Sequence, residues 1–525
     1  MPDRFTLASS SQLNADLIEA ISVGQNVIIG AELAREVDES CTAARRVLAT
    51  GGPVYGVSTG MGAMSGVALT PGQQREHQRN LLLGRATGGP PWLPEPDVRA
   101  LFAVRLRTFL SGDAGVSADL CRRLAEFLAA GIVPAVPAEA AGTAGEIVQL
   151  SHAFGPLAGI GAVLPGGGQP GGPPGPDRQP GGGRAGGGLV PAADALAEHG
   201  LAVFELGPKE GIALLEGVPG ATALSLRAAA EAVTVTAMLE AAAGLSIAAI
   251  GAAGDPYAAA VARGDDVLGA VLGRLRGWLG HAGPPPRMLQ APVSFRVAGH
   301  ALATLARAAG ALDGAVGRAL AGVTDSPAFL DGRFVGTAGF DGIDLAAACD
   351  HVTAVLAHAA EVSAARTHRL LDPRVTGLAA QLAARPGPDA GLVTVHKRAA
   401  GEVHALRRLA VPSAVGAIET SGGQEDVQSF AWAAAQALRA ALRHARAVAA
   451  CEVLTAWQAT QLAGWGTDRA GSSGTEGSGA GSGGTGGARE LAARLAGLIA
   501  PIDADRPLGP DIERLADGTW LPGGR

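Results

Sequence analysis

The sequence predicts a mostly helical protein, with a long antiparallel central helix bundle and a small N-terminal region that contains both helices and strands. Alanine and leucine dominate the 525 residues and aromatic residues make up only 4%. This composition favours closely packed helices over strands, which are rich in β-branched and aromatic side chains. Four long segments with short connectors also have helical period, and this arrangement is typical of an antiparallel bundle. These segments are 221–260, 295–324, 345–371 and 425–462.

The spacing of apolar residues justifies the individual elements. Residues 6–50 are predicted to form a short strand pair with one helix around Leu17, and 34–48 is a second helix candidate. In the third long segment the apolar residues repeat every three or four positions, which predicts one buried stripe. The stripe consists of Leu345, Cys349, Val352, Leu356, Ala359 and Val362.

Two low-complexity segments interrupt the chain at 165–188 and 466–487. They contain almost no apolar side chains, so burial cannot offset the entropy of ordering them, and we expect flexible insertions. Neither contains the Gly-Lys-Ser/Thr ending of a phosphate-binding loop. We predict an N-terminal active-site domain at 1–220, which carries the first insertion, and a C-terminal helical domain at 221–525, which carries the second.

Charge and cysteine usage exclude several classes of function. The net charge of −7 provides no basic field for nucleic acid or an anionic membrane. The most apolar window, 241–254, is too short to span a bilayer, and the N-terminus lacks the apolar segment of a secretory signal. The four cysteines have no metal-ligand spacing, so we expect buried thiols in a reducing compartment, no bound metal and a cytoplasmic protein. They are Cys41, Cys121, Cys349 and Cys451.

The stretch 136–164 organises the rest of the chain. Its centre is a run of small residues, Ala141 to Gly145, which enters an apolar helical segment at Glu146 and Ile147. Small residues let the backbone approach another backbone or a ligand closely, and glycine reaches dihedral angles that other residues avoid. The run therefore indicates a site that uses the main chain, although a tight helix connection produces the same pattern.

The sequence from Gly142 to Ile147, followed by Leu150 and His152, resembles the Gly-Ala-Ser-Gly-Asp-Leu segment of the histidine and phenylalanine ammonia-lyases. In that family an Ala-Ser-Gly tripeptide cyclises and its serine loses water. The product is the electrophile 4-methylideneimidazole-5-one (MIO). The resemblance covers nearly the whole chain except the two insertions. It implies the aromatic amino acid lyase fold, of the fumarase/aspartase-like type.

The tripeptide at this position is Thr143-Ala144-Gly145, and Ala144 stands where the family has serine. Alanine has no β-hydroxyl to leave as water, so the methylidene group cannot form. Thr143 has a hydroxyl, but it lies one residue too early for the same ring. We therefore expect a degenerate MIO position and no cofactor.

Other segments match the family in the same order, and the resemblance assigns their residues roles. The loop 54–62 matches a signature whose tyrosine lies over the active centre, and Arg85 replaces a histidine that helps seat an imidazole, which disfavours histidine as a substrate. The resulting catalytic candidates are Tyr55, Glu216 and Glu425. The substrate-binding candidates are Arg85, Gln290, Val293, Arg296 and Phe340.

These residues predict specific chemistry in the pocket. Arg296 matches an arginine that holds a substrate carboxylate, which a planar fork of donors binds bidentately. Arg85 is expected to pair with Glu425, because a buried guanidinium needs a partner, either for binding or only to fill space. Glu216 replaces a family asparagine, and desolvation should raise its pKa towards neutrality, where it and Tyr55 can exchange protons.

Three functions remain open from the sequence. The first is an enzyme without MIO that performs addition, elimination, isomerisation or cyclisation on a carboxylate- or carbonyl-containing metabolite of specialised metabolism. The second is a non-catalytic pseudoenzyme that binds a ligand or a partner. The third is an aromatic amino acid ammonia-lyase that acts by another route. The resemblance also implies a homotetramer. The expected ligand is a small-molecule substrate.

Overall fold

The computed structural model describes residues 4–166, 188–280, 286–416, 418–465 and 486–521. Apart from a few terminal residues, both predicted insertions, 165–188 and 466–487, lie outside the described residues. The described helices are, in chain order, α1 (Ala15–Ser22), α2 (Ala31–Ala49), α3 (Pro71–Leu83), α4 (Glu95–Leu110), α5 (Ala118–Ala130), α6 (Ile147–Phe154), α7 (Ala192–Glu198), α8 (Glu210–Leu215), α9 (Pro219–Ala249), α10 (Asp266–Leu279), α11 (Val293–Arg296), α12 (Ala298–Ala321), α13 (Ile343–Leu370), α14 (Pro373–Thr376), α15 (Val393–Leu409), α16 (Ala431–Leu462), α17 (Gly487–Ala496) and α18 (Gly509–Ala516).

The chain divides into two compact units, each assembled from separate stretches of sequence. The first unit contains Met1–Arg227, Leu312–Cys349 and Pro412–Gln436, and the second contains Ala228–Ala311, Asp350–Val411 and Ala437–Arg525. The predicted division at residue 220 assumes two contiguous domains. The units differ from it because the chain passes between them within the long helices α9, α12, α13 and α16 and once in the segment between α15 and α16.

Three short strand pairs accompany the helices of the first unit. Strands β1 (Arg4–Leu7) and β2 (Asn26–Ile29) are parallel. Strands β3 (Ala162–Val163) and β4 (Val190–Pro191) pair in antiparallel fashion, as do β5 (Ala328–Leu330) and β6 (Arg333–Val335). The strand pair predicted within 6–50 is therefore present, and the region is the expected mixture of helices and strands.

The long helices agree with the predicted segments except at their ends. Helix α9 ends at Ala249 rather than continuing to residue 260, because Gly251 adopts a positive φ of 59° and Asp255 begins a short 3-10 turn. Helix α16 begins at Ala431, not at Glu425, since Phe430 has a φ of 53°, which is incompatible with a right-handed helix. All six residues of the predicted stripe in α13 are buried.

The apolar segment Glu210–Ala249 is long and apolar enough to cross a membrane by length and composition alone, with a mean hydropathy of 1.6. In the structure 67% of its most apolar window is buried inside the protein. The core helix of a globular protein has this character, so length and composition give little support to a membrane span.

A buried network of charged and hydroxyl groups lies in the second unit. Glu452 on α16 accepts hydrogen bonds from Arg366 Nε at 2.6 Å and Arg366 Nη2 at 2.9 Å. The hydroxyls of Ser246 and Ser363 donate to the same carboxylate, one to each oxygen. Arg366 also donates to the carbonyl of Ser294. This network ties α9, α13 and α16 to the segment that precedes α12.

Candidate active site

The small-residue run lies in the first unit, at the edge of a small cavity. The cavity measures about 10 Å³, which is room for about one water molecule. Its walls come from the loop 141–146, from the segment before α9 and from the start of α16. They are Ala141, Thr143, Ala144, Gly145, Glu146, Val218, Asp341, Ser429, Phe430, Ala431 and Trp432.

Both ends of this loop are held by buried polar groups. Before the loop, the indole Nε1 of Trp432 donates to the carbonyl of Ala138 at 2.7 Å. After the loop, the carboxylate of Glu146 accepts hydrogen bonds from the backbone N–H groups of Gly220 at 2.7 Å and Ala221 at 2.5 Å. Glu146 therefore caps the N-terminus of α9, whose first N–H groups have no partners within the helix. Burial raises the pKa of this carboxyl to about 7, although the two N–H groups and Arg105 favour its charged form.

Within the loop, main-chain and side-chain groups make ordinary hydrogen bonds. The hydroxyl of Thr143 donates to the carbonyl of Gly145 at 2.8 Å. The N–H of Ala144 donates to Oε2 of Glu425 at 3.2 Å, and the same oxygen accepts from the Thr420 hydroxyl at 2.9 Å. Glu425 therefore contacts the loop directly, as the resemblance implied for a pocket residue.

The MIO group that the family uses does not fit these residues. Its methylidene carbon must come from the β-carbon of the central residue after a hydroxyl has left, and Ala144 carries only a methyl group there. The one nearby hydroxyl, on Thr143, belongs to the preceding residue and donates to the Gly145 carbonyl. No step of the chemistry below is therefore assigned to that group.

Tyr55 is held at the tip of a glycine-punctuated loop. Its hydroxyl accepts a hydrogen bond from the N–H of Gly62 at 2.8 Å. Buried Gln78 links this loop to α8, because its amide donates to the carbonyl of Gly56 and accepts from the N–H of Ile212 on α8. Burial raises the pKa of Tyr55, and the charges of Glu216 and Glu425 add to this effect, whereas the Gly62 N–H and Arg85 oppose it.

Glu216 follows the last residue of α8, and the next residue, Gly217, lies beside the loop 141–146. A β-carbon added to Gly145 would lie 3.6 Å from the carbonyl oxygen of Gly217, so the two segments are adjacent. Burial raises the pKa of the Glu216 carboxyl to about 8, with Asp325 and Glu425 contributing further, while Lys209 and Arg105 lower it. A carboxyl with this pKa exchanges protons near neutral pH.

The expected ion pair between Arg85 and Glu425 is corrected by the structure. Arg85 donates to the carbonyl of Leu81 and to the sulfur of Met61, each at 3.4 Å, and forms no ion pair among the described residues. Glu425 instead uses Oε2 for Ala144 and Thr420. The charges of Glu425, Glu216 and Tyr55 still reach Arg85 and stabilise its charged form, whereas burial lowers its pKa.

The remaining predicted residues divide between the units. Phe340 lies in the first unit beside Gly145, since its carbonyl oxygen is 3.6 Å from the position of an added Gly145 β-carbon. Gln290, Val293 and Arg296 belong to the second unit. Gln290 and Val293 are exposed, and Arg296 donates through Nε to the carbonyl of Ala291 at 2.9 Å.

We use the term charged cluster for Tyr55, Arg85, Glu216 and Glu425, whose electrostatic effects on one another are described above. Glu425 contacts Ala144, and Phe340 and the residue after Glu216 lie beside Gly145. Tyr55 and Arg85 are linked to this site by the electrostatic effects of Glu216 and Glu425 on them. The sequence analysis did not assign roles to Arg105, Glu146, Gln78 or Trp432. Arg105 had a visible signal, because it is a charged residue directly between the apolar residues Val104 and Leu106. Across the described ranges, no group of three or more His, Cys, Asp or Glu side chains could hold a metal ion.

The sequence matches a known protein family. A profile described as aromatic amino acid lyase matches residues 13–477. Histidine ammonia-lyase from Streptomyces coelicolor is 32% identical over 477 residues, which cover 87% of this chain and 88% of that protein. Histidine ammonia-lyase from Streptomyces griseus is 33% identical, with coverage of 82% and 83%. The chain therefore belongs to the aromatic amino acid lyase family.

Solved structures show the same fold at lower identity. Tyrosine aminomutase from Streptomyces globisporus has a TM-score of 0.85 and 24% identity, and the match covers 99% of this chain and 98% of that one. An ergothioneine-degrading enzyme from Treponema denticola has a TM-score of 0.84 and 22% identity, with 98% of each chain covered. The predicted fold class, mostly helical and of the aromatic amino acid lyase type, is confirmed.

Proposed function

We propose that this protein is an enzyme that performs acid and base chemistry without MIO on a small carboxylate- or carbonyl-containing metabolite. One observation carries the proposal. A half-buried glutamate whose pKa is raised to about 8 by desolvation, Glu216, lies in one charged cluster with Tyr55, beside a loop whose residues do not fit the family's electrophile.

Glu216 and Tyr55 are suited to complementary roles. Because the pKa of Glu216 is about 8, its carboxyl is mostly protonated at pH 7 and becomes a base as the pH rises. The raised pKa of Tyr55 keeps its phenol protonated, and the Gly62 N–H already occupies one lone pair of its oxygen. Tyr55 therefore donates its proton or a hydrogen bond, and Glu216 gives or takes the second proton.

Arg85 defines the class of ligand. Within the described part of the chain, its guanidinium has only two long hydrogen bonds, to Leu81 and Met61, and is available for an anionic or carbonyl oxygen. A protonated Glu216 leaves little negative charge beside it, which makes the site more favourable for an anion. Histidine, the substrate named for the relatives above, offers no anionic group on its side chain, so we propose a different substrate. We further propose that Arg296, in the second unit, binds a carboxylate through its terminal nitrogens.

The proposed reactions are addition, elimination, isomerisation or cyclisation in which a proton moves to or from carbon. An ammonia-lyase reaction by another route is the second candidate, because the Streptomyces relatives carry that name. Elimination of ammonia through an electron-demanding step is less compatible with Glu216, which adds a carboxyl beside the position of the electrophile. A pseudoenzyme that only binds a ligand is the third candidate, and the guanidinium of Arg85 supports it, because its hydrogen bonds to Leu81 and Met61 are long.

We propose a cytoplasmic homotetramer that acts in specialised metabolism. The cavity of about 10 Å³ cannot hold an amino acid in a single chain, so additional walls or loop movement are needed to form a binding site. Light scattering at micromolar concentration tests this assembly, and a monomer would contradict it.

Exchange of carbon-bound hydrogen for deuterium tests the chemistry without knowledge of the product. The protein is incubated in D₂O with a panel of 2-oxo acids, unsaturated dicarboxylates and L-histidine, and exchange is followed by NMR. We expect exchange in at least one dianionic or oxo-acid compound and none in histidine. Glu216→Gln and Tyr55→Phe should each lower the rate by about 10²–10⁴-fold, the usual contribution of one acid or base group.

Glu402→Gln is a suitable control, because Glu402 pairs with His444 in the second unit and outside the charged cluster. This variant should exchange at the wild-type rate. Wild-type exchange rates in both Glu216→Gln and Tyr55→Phe would contradict the proposed roles. Binding of a panel member without exchange in the wild type would favour the pseudoenzyme.

A further inference from the structure

Arg105 is a fully buried arginine that contacts Glu216 of the charged cluster. It lies on α4, and its guanidinium is 5.3 Å from the ring centre of Phe109 and 5.6 Å from that of Phe154. Its Nη2 donates to the backbone carbonyl of Glu216. Its Nε and Nη1 have no hydrogen-bond partner among the described residues.

The nearest carboxylates do not form an ion pair with Arg105. Asp325 pairs with Lys209 at 2.6 Å, and both side chains are buried. Both carboxylate oxygens of Glu146 accept hydrogen bonds from N–H groups at the N-terminus of α9. Asp325, Glu146 and Glu216 nevertheless favour the charged form of Arg105, in that order of strength. A buried guanidinium with two unpaired nitrogens lowers the stability of the fold. The presence of Arg105 at this position is therefore better explained by its effect on a neighbouring residue.

We propose that Arg105 is a positioning residue for the candidate acid and base group. Its hydrogen bond fixes the main chain of Glu216 beside the loop 143–145, and its positive charge sets how readily the Glu216 carboxyl ionises. This inference rests on the proposed function, because it assigns Arg105 a role in the chemistry of Glu216.

The charges around Glu216 show why Arg105 is distinctive. Asp325 and Glu425 disfavour the ionised carboxylate, and Lys209 and Arg105 favour it. Tyr55 and Arg85 complete the titratable groups of the cluster. Lys209 is already engaged with Asp325, and Arg105 alone of the two cations also contacts the Glu216 backbone. Removal of the Arg105 charge should therefore make Glu216 hold its proton more tightly.

A titration of stability tests the proposal without a substrate. The melting temperature is measured against pH for the wild type and for Glu216→Gln. The difference between the two melting temperatures reports how the ionisation of the Glu216 carboxyl changes stability. Because the folded-state pKa is raised from 4.5 to about 8, this stabilising difference should be largest at low pH and fall as the pH rises through about 8.

The same pair of measurements is made in the backgrounds Arg105→Met, Arg105→Gln and Arg105→Lys. Loss of a nearby opposite charge raises a carboxyl pKa by about 1–3 units, so the pH at which the fall ends should move upward by at least about one unit in the two neutral variants, while its start near the unfolded pKa stays the same. The lysine variant keeps the charge and should show the fall near the wild-type pH. A fall at the wild-type pH in either neutral variant, or a full upward shift in the lysine variant, would overturn the proposal.

Arg99→Met is a matched control for the loss of a buried arginine. Arg99 lies on the same helix, is also buried, and donates to the carbonyls of Ile21 and Leu128 rather than to Glu216. This variant should leave the pH of the fall unchanged. A full upward shift in the lysine variant would overturn the proposal even if neither neutral variant folds. Failure of the proposed function would appear separately, as deuterium exchange that does not depend on Glu216.

Discussion

Two groups of charged residues in this protein differ in how completely they are paired. The complete cluster contains Arg366 and Glu452, and the incomplete cluster contains Arg105, Lys209, Asp325, Glu146 and Glu216. In the second unit, Arg366 and Glu452 form a bidentate pair, and two serine hydroxyls complete the carboxylate. In the first unit, two nitrogens of Arg105 have no hydrogen-bond partner within the described chain. Oδ1 of Asp325 has none there either. The complete cluster holds helices together. The incomplete cluster surrounds the candidate site, where Glu216 and Glu146 have pKa values near neutrality.

This difference matters because incomplete pairing keeps protons exchangeable. A fully hydrogen-bonded ion pair fixes both charges, and a change of pH near 7 does not alter it. A carboxyl that is buried beside distant or shared cations is poised between its charged and neutral forms. Perturbed pKa values of this kind gather at functional sites more often than elsewhere, which supports the assignment of the first cluster to chemistry.

The largest expected effect comes from breaking the complete cluster. Glu452→Leu should lower the free energy of unfolding by about 3–5 kcal/mol, because Arg366 would remain buried without its partner. The double variant Arg366→Met with Glu452→Leu should recover much of this loss. Urea unfolding of the single and double variants measures both effects, and strictly additive losses would show that the two residues do not interact.

A smaller effect is expected from Glu146, which belongs to the incomplete cluster. Glu146→Ala should lower the free energy of unfolding by about 1–3 kcal/mol, because the buried N–H groups of Gly220 and Ala221 lose their acceptor. Glu146→Gln keeps one acceptor oxygen and should cost less. Thermal unfolding at pH 5 compares the two variants, and equal losses would contradict the capping role.

Glu146 also predicts a pH dependence. Its folded-state pKa is raised from 4.5 to about 7, so its contribution to stability is fully present below pH 4.5 and is lost as the pH rises through about 7. The melting temperature of the wild type relative to Glu146→Gln should fall over this window. A relative melting temperature that rises over the same window would contradict the assignment.

The smallest effect should come from an exposed ion pair. Arg318 and Asp344 pair at 2.8 Å, but their side chains are 64% and 57% exposed. Water and salt screen such pairs, so Asp344→Asn should leave the urea midpoint unchanged. A loss comparable to that of Glu452→Leu would show that burial is not what distinguishes the clusters.

Much of the fold could be predicted from the sequence, because helical period and composition are local properties. The four long helices and the N-terminal strand pair were predicted near their observed positions. The ends of α9 and α16 were not, because helical period alone does not show that Gly251 and Phe430 adopt positive φ.

The site was predicted in part. The resemblance located Tyr55, Glu216 and Glu425, and the structure places them near the loop. It could not show that Glu425 accepts from Ala144, 281 residues away, and therefore does not pair with Arg85. Nor could it link Arg105 to Glu216 across 111 residues. A sequence pattern indicates that a charge is buried, but only the folded chain shows which group it faces.

The central claim is that the site works with an ordinary backbone at Thr143-Ala144-Gly145. Intact mass spectrometry of the purified protein tests this most directly, with a MIO-containing relative as the positive control. We predict the mass of the unmodified sequence. A deficit of two water molecules that maps to the peptide containing residues 143–145 would contradict the claim.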